Sequence, residues 1–243
     1  MHAFYVNMKI AIIGYGKMGH MIESVALARG HEIVARIDAN DAFDLHHADV
    51  AIEFTTPMTA KENILRAWAQ GVPVVSGSTG WQPEELKDES LELREVDSKK
   101  LIVESKTGKV MLVWSSNYSV GVNIFFEVNK FLAQKMAEQP QYTPSIKEIH
   151  HIHKLDKPSG TAKTLAEQIS AMYEGRMHDV RMEVPIESIR EGEVPGTHEV
   201  TWDSEEDTIV ITHIAKGRRG FALGAVLAAE KMNNVSNTGL TQD

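Results

Sequence analysis

The sequence contains no cysteine, which excludes disulfide bonds and thiolate chemistry and fits the reducing conditions of a cytoplasm. No apolar run approaches the roughly 20 residues that cross a bilayer, and residues 1–8 lack the charged and apolar regions of a signal peptide. We therefore expect a cytoplasmic protein without a membrane partner. With 243 residues, 42% hydrophobic and 24% charged, the chain has the composition of a globular protein with one large or two modest domains.

A glycine-rich turn near the N-terminus predicts a dinucleotide site. The apolar segment 9–13 leads into a Gly-x-Gly-x-x-Gly pattern that starts at Gly14 and ends at Gly19, and apolar residues at helical spacing follow. A second strand, 32–37, ends at Asp38, nineteen residues after Gly19. The glycines allow a tight turn and a close approach of pyrophosphate to the helix N-terminus, and Asp38 would accept hydrogen bonds from the adenosine ribose. The alternative is a glycine-rich turn that binds no ligand.

Strands and helices then alternate up to residue 114, as in a parallel, doubly wound sheet. The predicted strands are 49–54, 72–76, 101–104 and 110–114, and a predicted helix spans 57–68. The turns after these strands, at 55–57, 77–80 and 115–118, would share the carboxyl edge of the sheet, where ligands bind. The sequence predicts an α/β fold whose N-terminal Rossmann-like domain covers residues 1–120 and is completed by a helix at 217–235.

The character of the sequence changes after Gly121. A helix is predicted over 123–135, and strands that we expect to be antiparallel follow it. These strands span 145–153, 180–189, 198–203 and 207–214, with a hairpin turn at 205–207. We therefore expect a second domain, residues 121–216, of the α+β class with a mostly antiparallel sheet.

The segment 148–163 concentrates three histidines and three lysines in a chain whose formal net charge is −9. Three lysines against two acids give the segment a formal charge of +1, which favours an anionic small molecule over nucleic acid. Ser159 is a suitable N-cap for a following helix. The backbone N–H groups of Gly160 and Thr161 would lie at its N-terminus, where a carboxylate binds well.

The histidines of this segment allow several interpretations. On a strand, Glu148, His150 and Lys154 share one face, while His151 and His153 point the other way. In an extended chain His150 and Lys154 would be roughly 13 Å apart, so they could grip two parts of one substrate if the strand ends near Lys154. The His-His-x-His pattern could instead be a metal site or a polar strand end. Because cysteine is absent and the adjacent lysines repel a cation, we expect no metal.

Together these motifs resemble the 4-hydroxy-tetrahydrodipicolinate reductase (dihydrodipicolinate reductase) family of bacterial and plant lysine biosynthesis. The resemblance rests on the glycine turn, Phe-Thr-Thr-Pro at 54–57, Gly-Ser-Thr-Gly at 77–80, Asn-Tyr-Ser-Val-Gly-Val-Asn at 117–123, the histidine–lysine segment with Pro-Ser-Gly-Thr-Ala at 158–162, Arg-Glu-Gly at 190–192 and Gly-Thr-His at 196–198. It implies a reductase that passes hydride from a nicotinamide to a cyclic dicarboxylate with loss of water.

The resemblance also implies roles for individual residues. His150 is the proton donor or acceptor, and Lys154 is a proton donor that faces the substrate. Binding of the substrate carboxylate is assigned to His151, Gly160 and Thr161. The adenosine and pyrophosphate are assigned to Gly14, Tyr15, Gly16, Lys17, Met18, Gly19 and Asp38. The nicotinamide half is assigned to Gly77, Ser78, Thr79, Ser115, Ser116, Asn117 and Tyr118.

Two further expectations concern assembly and cofactor choice. The family is typically tetrameric, and the second sheet needs a cover on its other face, so we expect a homotetramer built through residues 143–214. We also expect NADH to be preferred, with NADPH still usable, because Asp38 would repel a 2′-phosphate and no arginine or lysine directly follows it. Arg36 would lie deeper in the sheet, which leaves Lys17 as the one cation placed to compensate.

Two other functions share part of this pattern. A different Rossmann oxidoreductase, such as an aspartate-dehydrogenase-like enzyme, would have the glycine turn but not the histidine–lysine segment followed by Ser-Gly-Thr. A non-catalytic dinucleotide-binding sensor would need the first domain but no proton donors in the second.

Overall fold

The computed structural model describes residues 7–81, 86, 91–96, 100–105, 111–173 and 182–238. The chain divides into two compact units. Unit 1 comprises Met1–Val120 and Arg219–Asp243, and unit 2 comprises Gly121–Arg218. Unit 2 is therefore inserted between two stretches of the chain that fold together.

Unit 1 contains a seven-stranded sheet with helices on both faces. Its elements are β1 (Lys9–Ile13), α1 (Lys17–Ala28), β2 (Glu32–Ile37), β3 (Val50–Glu53), α2 (Pro57–Ala69), β4 (Val74–Ser76), β5 (Leu91–Val96), β6 (Lys100–Ser105), β7 (Met111–Ser115) and α5 (Arg219–Thr238). The strand order is β2-β1-β3-β4-β7-β6-β5, and the first five strands in this order are parallel. The prediction of a Rossmann-like α/β unit is confirmed.

The alternation of side chains along β1 explains why both faces of this sheet are covered. Ile10 and Ile12 belong to a buried cluster with residues of α1 and α5, whereas Ala11 and Ile13 belong to a second cluster with residues of α2. All four side chains are buried, which is the pattern of a parallel strand packed on both sides. On α5, small residues permit close packing: a Cβ on Gly224 would lie 1.6 Å from the carbonyl oxygen of Tyr118.

Two strand predictions in unit 1 need correction. The strand predicted over 101–104 is β6, which runs antiparallel to β7, and the sequence analysis missed β5, which pairs antiparallel with β6. The connections on either side of β6 are only three and five residues long. A parallel crossover needs a dozen residues or more, so these strands can pair only as antiparallel neighbours. Residue 110, the predicted start of β7, lies outside the described residues.

Unit 2 packs two helices on one face of a four-stranded sheet. Its elements are α3 (Val120–Met136), β8 (Thr143–His150), α4 (Gly160–Ala171), β9 (Ile186–Arg190), β10 (Thr197–Asp203) and β11 (Thr208–Ile214). The strand order is β11-β10-β8-β9. The core between helices and sheet includes Phe126, Leu165, Ile146 and Trp202. The predicted hairpin is confirmed, since Asp203 pairs with Thr208 across the turn.

Two predictions in unit 2 are also wrong. β8 and β9 pair in parallel, because α4 lies between them in the chain and provides the crossover that a parallel pair requires. β8 ends at His150 instead of continuing to residue 153, so Lys154 does not share a strand face with Glu148 and His150. Residues 180 and 181 of the strand predicted over 180–189 lie outside the described residues. Among the helices of the described ranges, none has the length and apolar character needed to cross a membrane.

Candidate active site

A different structural feature explains each of the three glycines in the turn between β1 and α1. Gly14 has φ +92°, and a Cβ there would lie 2.2 Å from the carbonyl oxygen of Phe54. A Cβ on Gly19 would lie 2.3 Å from the carbonyl oxygen of Gly14, so this glycine lets α1 pack on the turn. Around Gly16 there is no atom within 4 Å of such a Cβ. The middle glycine therefore leaves an open approach to the backbone, as pyrophosphate binding requires.

The N-terminus of α1 is suited to an anion. Gly16 is its N-cap, has no side chain to accept from the first amides, and is followed by a first turn without acidic residues. Unpaired N–H groups and the positive end of the helix dipole then favour a phosphate group. Lys17, the first residue of α1, is exposed and adds positive charge.

A cavity of about 490 Å³ joins this turn to the end of β2. Its lining includes Gly14, Gly16 and Asp38, three of the residues predicted to bind the cofactor. One Asp38 oxygen, Oδ1, accepts from the backbone N–H of Ala39 at 3.0 Å. The glycine turn and a carboxylate in one cavity fit the adenosine half of a nicotinamide dinucleotide.

Other predicted residues of the turn lie outside the lining of this cavity. The hydroxyl of Tyr15 hydrogen bonds to Glu23, and Arg36 Nε also donates to Glu23, at 3.1 Å. The hydrogen bond to Glu23 raises the pKa of Tyr15, so its phenol is neutral at pH 7. Met18 packs against the core beneath the turn.

A cation and an aromatic ring that were not predicted from the sequence, Arg66 and Phe43, also line the cavity. The guanidinium carbon of Arg66 lies 4.0 Å from the centroid of the Phe43 ring. Thr59, Asn63 and Arg66 share one face of α2 at helical spacing and all line the cavity. The helical spacing of these three residues, downstream of the Phe-Thr-Thr-Pro motif, is the sequence feature that could have predicted their place in the site.

The turn after β4 is anchored to a buried carboxylate that was also missed. Glu53, at the end of β3, is fully buried. Its carboxylate accepts from Ser78 Oγ at 2.7 Å, from Ser76 Oγ at 2.5 Å and from the backbone N–H of Thr55 at 2.9 Å. A Cβ on Gly77 would lie 2.1 Å from the ring of Phe54, so a side chain there would have to displace this ring. Thr79, by contrast, is exposed.

The turn after β7 is held by its own side chains. Ser115 Oγ donates to the carbonyl oxygen of Asn117 at 3.0 Å. Tyr118 is buried, and its hydroxyl lies 2.7 Å from the carbonyl oxygen of Val113. Burial raises the pKa of Tyr118 well above its usual value, so the hydroxyl is a neutral donor. Ser116 is exposed. Tyr118 therefore shapes the turn, and any contact that it makes with a ligand comes through its backbone.

In unit 2, the end of β8 forms a buried cluster of charged and polar groups. Glu148 is fully buried and His150 is 7% exposed. His150 Nδ1 lies 3.0 Å from Glu148 Oε2. His198, which pairs with Glu148 across β8 and β10, packs its ring against His150 at a centroid distance of 5.0 Å and an angle of 70°. This pairing brings together residues that are fifty positions apart in sequence.

The ionisation states in this cluster follow from burial and from its hydrogen bonds. Burial opposes ionisation of Glu148, but hydrogen bonds from Ser159 and Arg190 outweigh it and lower the pKa to about 2. Burial lowers the pKa of His150, with Glu148 opposing and Lys154 adding to the effect. Burial also lowers the pKa of His198, to about 4. At pH 7 the cluster therefore holds one carboxylate and two neutral imidazoles.

Arg190, at the end of β9, ties the loop after β8 to this cluster. Its Nη2 donates to Glu148 Oε1 at 3.2 Å and to the carbonyl oxygen of Asp156 at 2.5 Å. Its Nε donates to the carbonyl oxygen of Lys154 at 3.3 Å. Although β8 ends before Lys154, the backbone of Lys154 is thus fixed relative to His150. The ammonium of Lys154 binds both oxygens of Asp156, at 2.7 and 2.9 Å.

The predicted N-cap of α4 is confirmed, and it connects the helix to the same cluster. Ser159 Oγ accepts from the backbone N–H of Ala162 at 3.2 Å and lies 3.1 Å from His198 Nε2. The backbone N–H of Ser159 donates to Glu148 Oε1 at 3.0 Å. Gly160 is exposed, and a Cβ there would meet no atom within 4 Å. A side chain at Gly160, the first residue of α4, would therefore extend into open space.

The remaining histidines of the segment lie apart from this cluster. His151 and His153 follow β8, with ring centroids 6.0 Å apart, and His153 Nε2 is 3.2 Å from the exposed Glu193. Donor atoms of Glu148, His150 and His198 lie within 4.8 Å of one another, as in a metal site. The guanidinium of Arg190 on the same carboxylate opposes a cation, so the absence of a metal stays a prediction.

Comparison with known families identifies this arrangement. The family model described as "Dihydrodipicolinate reductase, C-terminus" matches residues 121–242, and that described as "Dihydrodipicolinate reductase, N-terminus" matches residues 40–118. The chain belongs to the dihydrodipicolinate reductase family. The resemblance drawn from the sequence motifs is confirmed, and the chain is an oxidoreductase with a nicotinamide cofactor, which this fold and family imply. The alternatives of an aspartate-dehydrogenase-like enzyme and a non-catalytic sensor are set aside.

Individual members of the dihydrodipicolinate reductase family match along nearly the whole chain. The 4-hydroxy-tetrahydrodipicolinate reductase of Christiangramia forsetii is 44% identical over 235 residues, 93% of each chain. That of Archaeoglobus fulgidus is 34% identical and covers 96% of each chain. The dipicolinate-bound dihydrodipicolinate reductase from Paenisporosarcina sp. TG-14 is similar in fold, with a TM-score of 0.69, 21% identity, and coverage of 95% of this chain and 96% of that one.

Proposed function

We propose that this protein reduces 4-hydroxy-tetrahydrodipicolinate to tetrahydrodipicolinate, with loss of water, in the lysine (diaminopimelate) pathway. Curated relatives that match almost the whole chain carry the name of this reaction. The observation that carries the proposal is the buried Glu148–His150 pair beside the N-terminus of α4. A proton-transfer group next to amides that suit a carboxylate would meet the two requirements of a dicarboxylate reductase.

The residues of unit 2 divide the work on the substrate. The bound nicotinamide supplies the hydride. His150 and Lys154 are proton donors that neutralise the negative charge left on the substrate ring, and a positioned acid of this kind typically contributes 10²–10⁴-fold. His151 and the first residues of α4, Gly160 and Thr161, bind a substrate carboxylate. A relative of this family has been solved with dipicolinate, a dicarboxylate, which agrees with this assignment.

Unit 1 is proposed as the cofactor domain and unit 2 as the substrate and assembly domain. The cofactor is NADH in preference to NADPH, because Asp38 lines the cavity while Arg36 is paired with Glu23. Arg66 is the cation of the cavity lining that could still reach a 2′-phosphate. The turns at 77–79 and 115–118 are proposed to hold the nicotinamide half.

The proposed assembly is a homotetramer formed through the sheet of unit 2. Within the described residues, the helices of unit 2 pack on the face that carries Trp202. On β11, Val210 and Ile214 belong to the opposite set of alternating side chains and are 49% and 65% exposed. Apolar side chains on an uncovered sheet face favour contact with another copy. The protein is proposed to act in the cytoplasm.

Steady-state turnover of freshly generated 4-hydroxy-tetrahydrodipicolinate with NADH and with NADPH tests this function. We expect oxidation of the nicotinamide that depends on this substrate, and none with oxaloacetate plus ammonia. Turnover with oxaloacetate plus ammonia alone would instead indicate an aspartate dehydrogenase. Cofactor binding without any turnover would indicate a dinucleotide sensor.

A further inference from the structure

A buried carboxylate with no assigned part in catalysis lies beside the proposed proton donor. Glu148 is on β8, an interior strand of the sheet in unit 2, and is fully buried. Burying a charged group is costly unless it is paired and hydrogen bonded. If Glu148 only filled space, a neutral residue of similar size would serve equally well. The contacts of the two carboxylate oxygens therefore indicate what the charge of Glu148 is for.

The two oxygens of Glu148 have different partners. Oε1 accepts from the backbone N–H of Ser159 and from Arg190 Nη2. These are charge-assisted bonds that fix the carboxylate relative to α4 and β9. Oε2 lies 3.0 Å from His150 Nδ1 and 3.9 Å from His198 Nε2. The Oε2–Nδ1 pair is within ion-pair distance, although the two atoms lack the alignment of a hydrogen bond. One oxygen thus holds the carboxylate in place while the other lies against Nδ1 of the imidazole.

The ring of His150 is confined on its other sides. The edge-on ring of His198 packs against it. Gly196, with φ +150°, lies beside the opposite ring nitrogen: a Cβ there would be 3.1 Å from His150 Nε2 and 3.2 Å from Cδ2. A side chain at position 196 would press on this edge of the ring. Glycine therefore keeps the space beside Nε2 accessible while Nδ1 stays against the carboxylate.

We propose that Glu148 is a positioning residue whose Oε2 keeps the proton of neutral His150 on Nδ1, so that Nε2 is the atom which exchanges a proton with the substrate. This deepens the proposed function and rests on it for the identity of the substrate. Before the proton transfer, the carboxylate stabilises the protonated ring and keeps its orientation. When Nε2–H gives its proton to the reduced substrate, the imidazolium becomes neutral imidazole. A carboxylate behind a catalytic histidine has this effect on tautomer and charge in hydrolases.

Several charged or titratable groups surround the pair and limit the size of the effect. Lys154 and Asp156 come from the loop after β8, Arg190 from β9 and His198 from β10, with His213 paired to His198 on β11. Lys154 and Arg190 both disfavour a protonated His150, and Glu148 and Asp156 favour it. Removing the charge of Glu148 should therefore make His150 harder to protonate.

The test compares Glu148→Gln with Glu193→Gln, which changes an exposed glutamate beside His153 in the same unit. We expect kcat of Glu148→Gln to fall about tenfold or more, but by no more than the 10²–10⁴-fold that loss of the general acid itself typically costs. The KM for NADH should stay constant. As pH rises, activity should decline at a lower pH than in the wild type, because protonated His150 is lost earlier. Glu193→Gln should match the wild type throughout.

Nitrogen NMR of histidine-labelled protein detects the interaction between Glu148 and His150 without requiring turnover. Comparison with His150→Gln assigns the signals of His150. In the wild type, neutral His150 should carry its proton on Nδ1, and Glu148→Gln should lower its titration midpoint. A wild-type His150 protonated on Nε2, or an unchanged midpoint and pH profile in Glu148→Gln, overturns the proposal. If Glu148→Gln does not fold, the wild-type tautomer decides. A wild type that shows the expected tautomer but no reductase turnover would sink the proposed function and leave the role of Glu148 standing.

Discussion

Arg36 Nε lies 3.1 Å from Glu23 Oε1, so the cation two positions before Asp38 is bound to a partner on α1. Hydrogen bonds to Glu23 raise the already high pKa of Arg36 further, which reinforces the pairing. This relationship bears directly on cofactor choice, because an arginine held by a carboxylate on its own unit is poorly placed to bind a 2′-phosphate.

The first prediction is a modest preference for NADH over NADPH that depends on Asp38. Asp38→Ser removes the charge that repels a 2′-phosphate and should raise kcat/KM for NADPH while lowering it for NADH. Arg66→Ala should lower kcat/KM for NADPH more than for NADH. Kinetics with both cofactors at matched ionic strength give the two ratios. A wild type that clearly prefers NADPH would mean that Lys17, Arg36 or Arg66 reaches the phosphate.

The second prediction concerns the proton donors. Lys154→Ala should collapse turnover with little change in NADH affinity, and His150→Gln should lower kcat more than it raises KM. Loss of a general acid typically costs 10²–10⁴-fold, or about 3–5 kcal/mol of barrier. Lys147→Ala, at a half-buried lysine inside β8, is the matched control and should retain activity. Near wild-type rates from both site variants would remove the assignment.

The third prediction concerns carboxylate binding at the start of α4. Because no atom lies within 4 Å of a Cβ at Gly160, both Gly160→Ala and Gly160→Val should fold. The larger side chain should obstruct a ligand more, so affinity for dipicolinate should fall in the order glycine, alanine, valine. Calorimetry measures this series. Equal affinity in all three folded proteins would leave Ser159 and its neighbours as a helix cap alone, worth about 1 kcal/mol.

The fourth prediction concerns acid stability of unit 1. Glu230 on α5 accepts from Arg29 Nε at 2.7 Å and lies 2.8 Å from His31 Nε2. Burial opposes its ionisation, but these hydrogen bonds outweigh burial and lower the pKa of Glu230 below its usual value near 4.5. Because the pKa of Glu230 is lower in the folded protein than in the unfolded chain, the ionised carboxylate stabilises the fold, fully so above the usual pKa. This contribution is lost as pH falls through the lowered pKa.

Glu230→Gln should therefore reduce the free energy of unfolding by about 1.5–3 kcal/mol at pH 7, the range for hydrogen bonds to charged groups. The difference from wild type should shrink below about pH 4. Glu127→Gln, which removes an exposed pair with Lys130 on α3, should cost less than about 1 kcal/mol. Urea unfolding of the three proteins at pH 7 and at about pH 3 makes the comparison. A pH-independent difference for Glu230→Gln would contradict the ion-pair explanation.

The fifth prediction is a homotetramer that depends on the open face of the sheet in unit 2. The wild type should have the mass of four chains in light scattering at micromolar concentration. Val210→Asp should shift it toward smaller species, because a charge cannot be buried there without a partner. Leu27→Asp changes an exposed apolar residue in unit 1 and should leave the mass unchanged. A monomeric wild type would rule the assembly out.

The sequence predicted features that depend on neighbouring residues. The glycine turn, Asp38 at the end of β2 and the Ser159 cap of α4 are each encoded by residues close together in the sequence, and each has the expected position in its own unit. Strand direction depends on connection length and on partners far away in the sequence. This is why the antiparallel β6 and the parallel β9 were predicted incorrectly.

The surroundings of His150 show the same limit within the site. His198 and Arg190 reach Glu148 only because β10 and β9 pair with β8 in one register, and a shift of a single residue would turn both away. The motifs Arg-Glu-Gly and Gly-Thr-His could be noticed in the sequence, but their roles could not be assigned without that register. Arg66 and Phe43, twenty-three positions apart, met the same obstacle in unit 1.

The return of α5 to unit 1 has a consequence for how the chain is synthesised. Residues 121–218 leave the ribosome before α5, so unit 2 can complete its core while unit 1 still lacks the helix that covers Ile10, Ile12 and Ile52. The half-built first sheet then exposes an apolar face until translation ends. A stop codon before residue 219 would therefore leave an intact unit 2 and an aggregation-prone unit 1, although every residue of the glycine turn would be present.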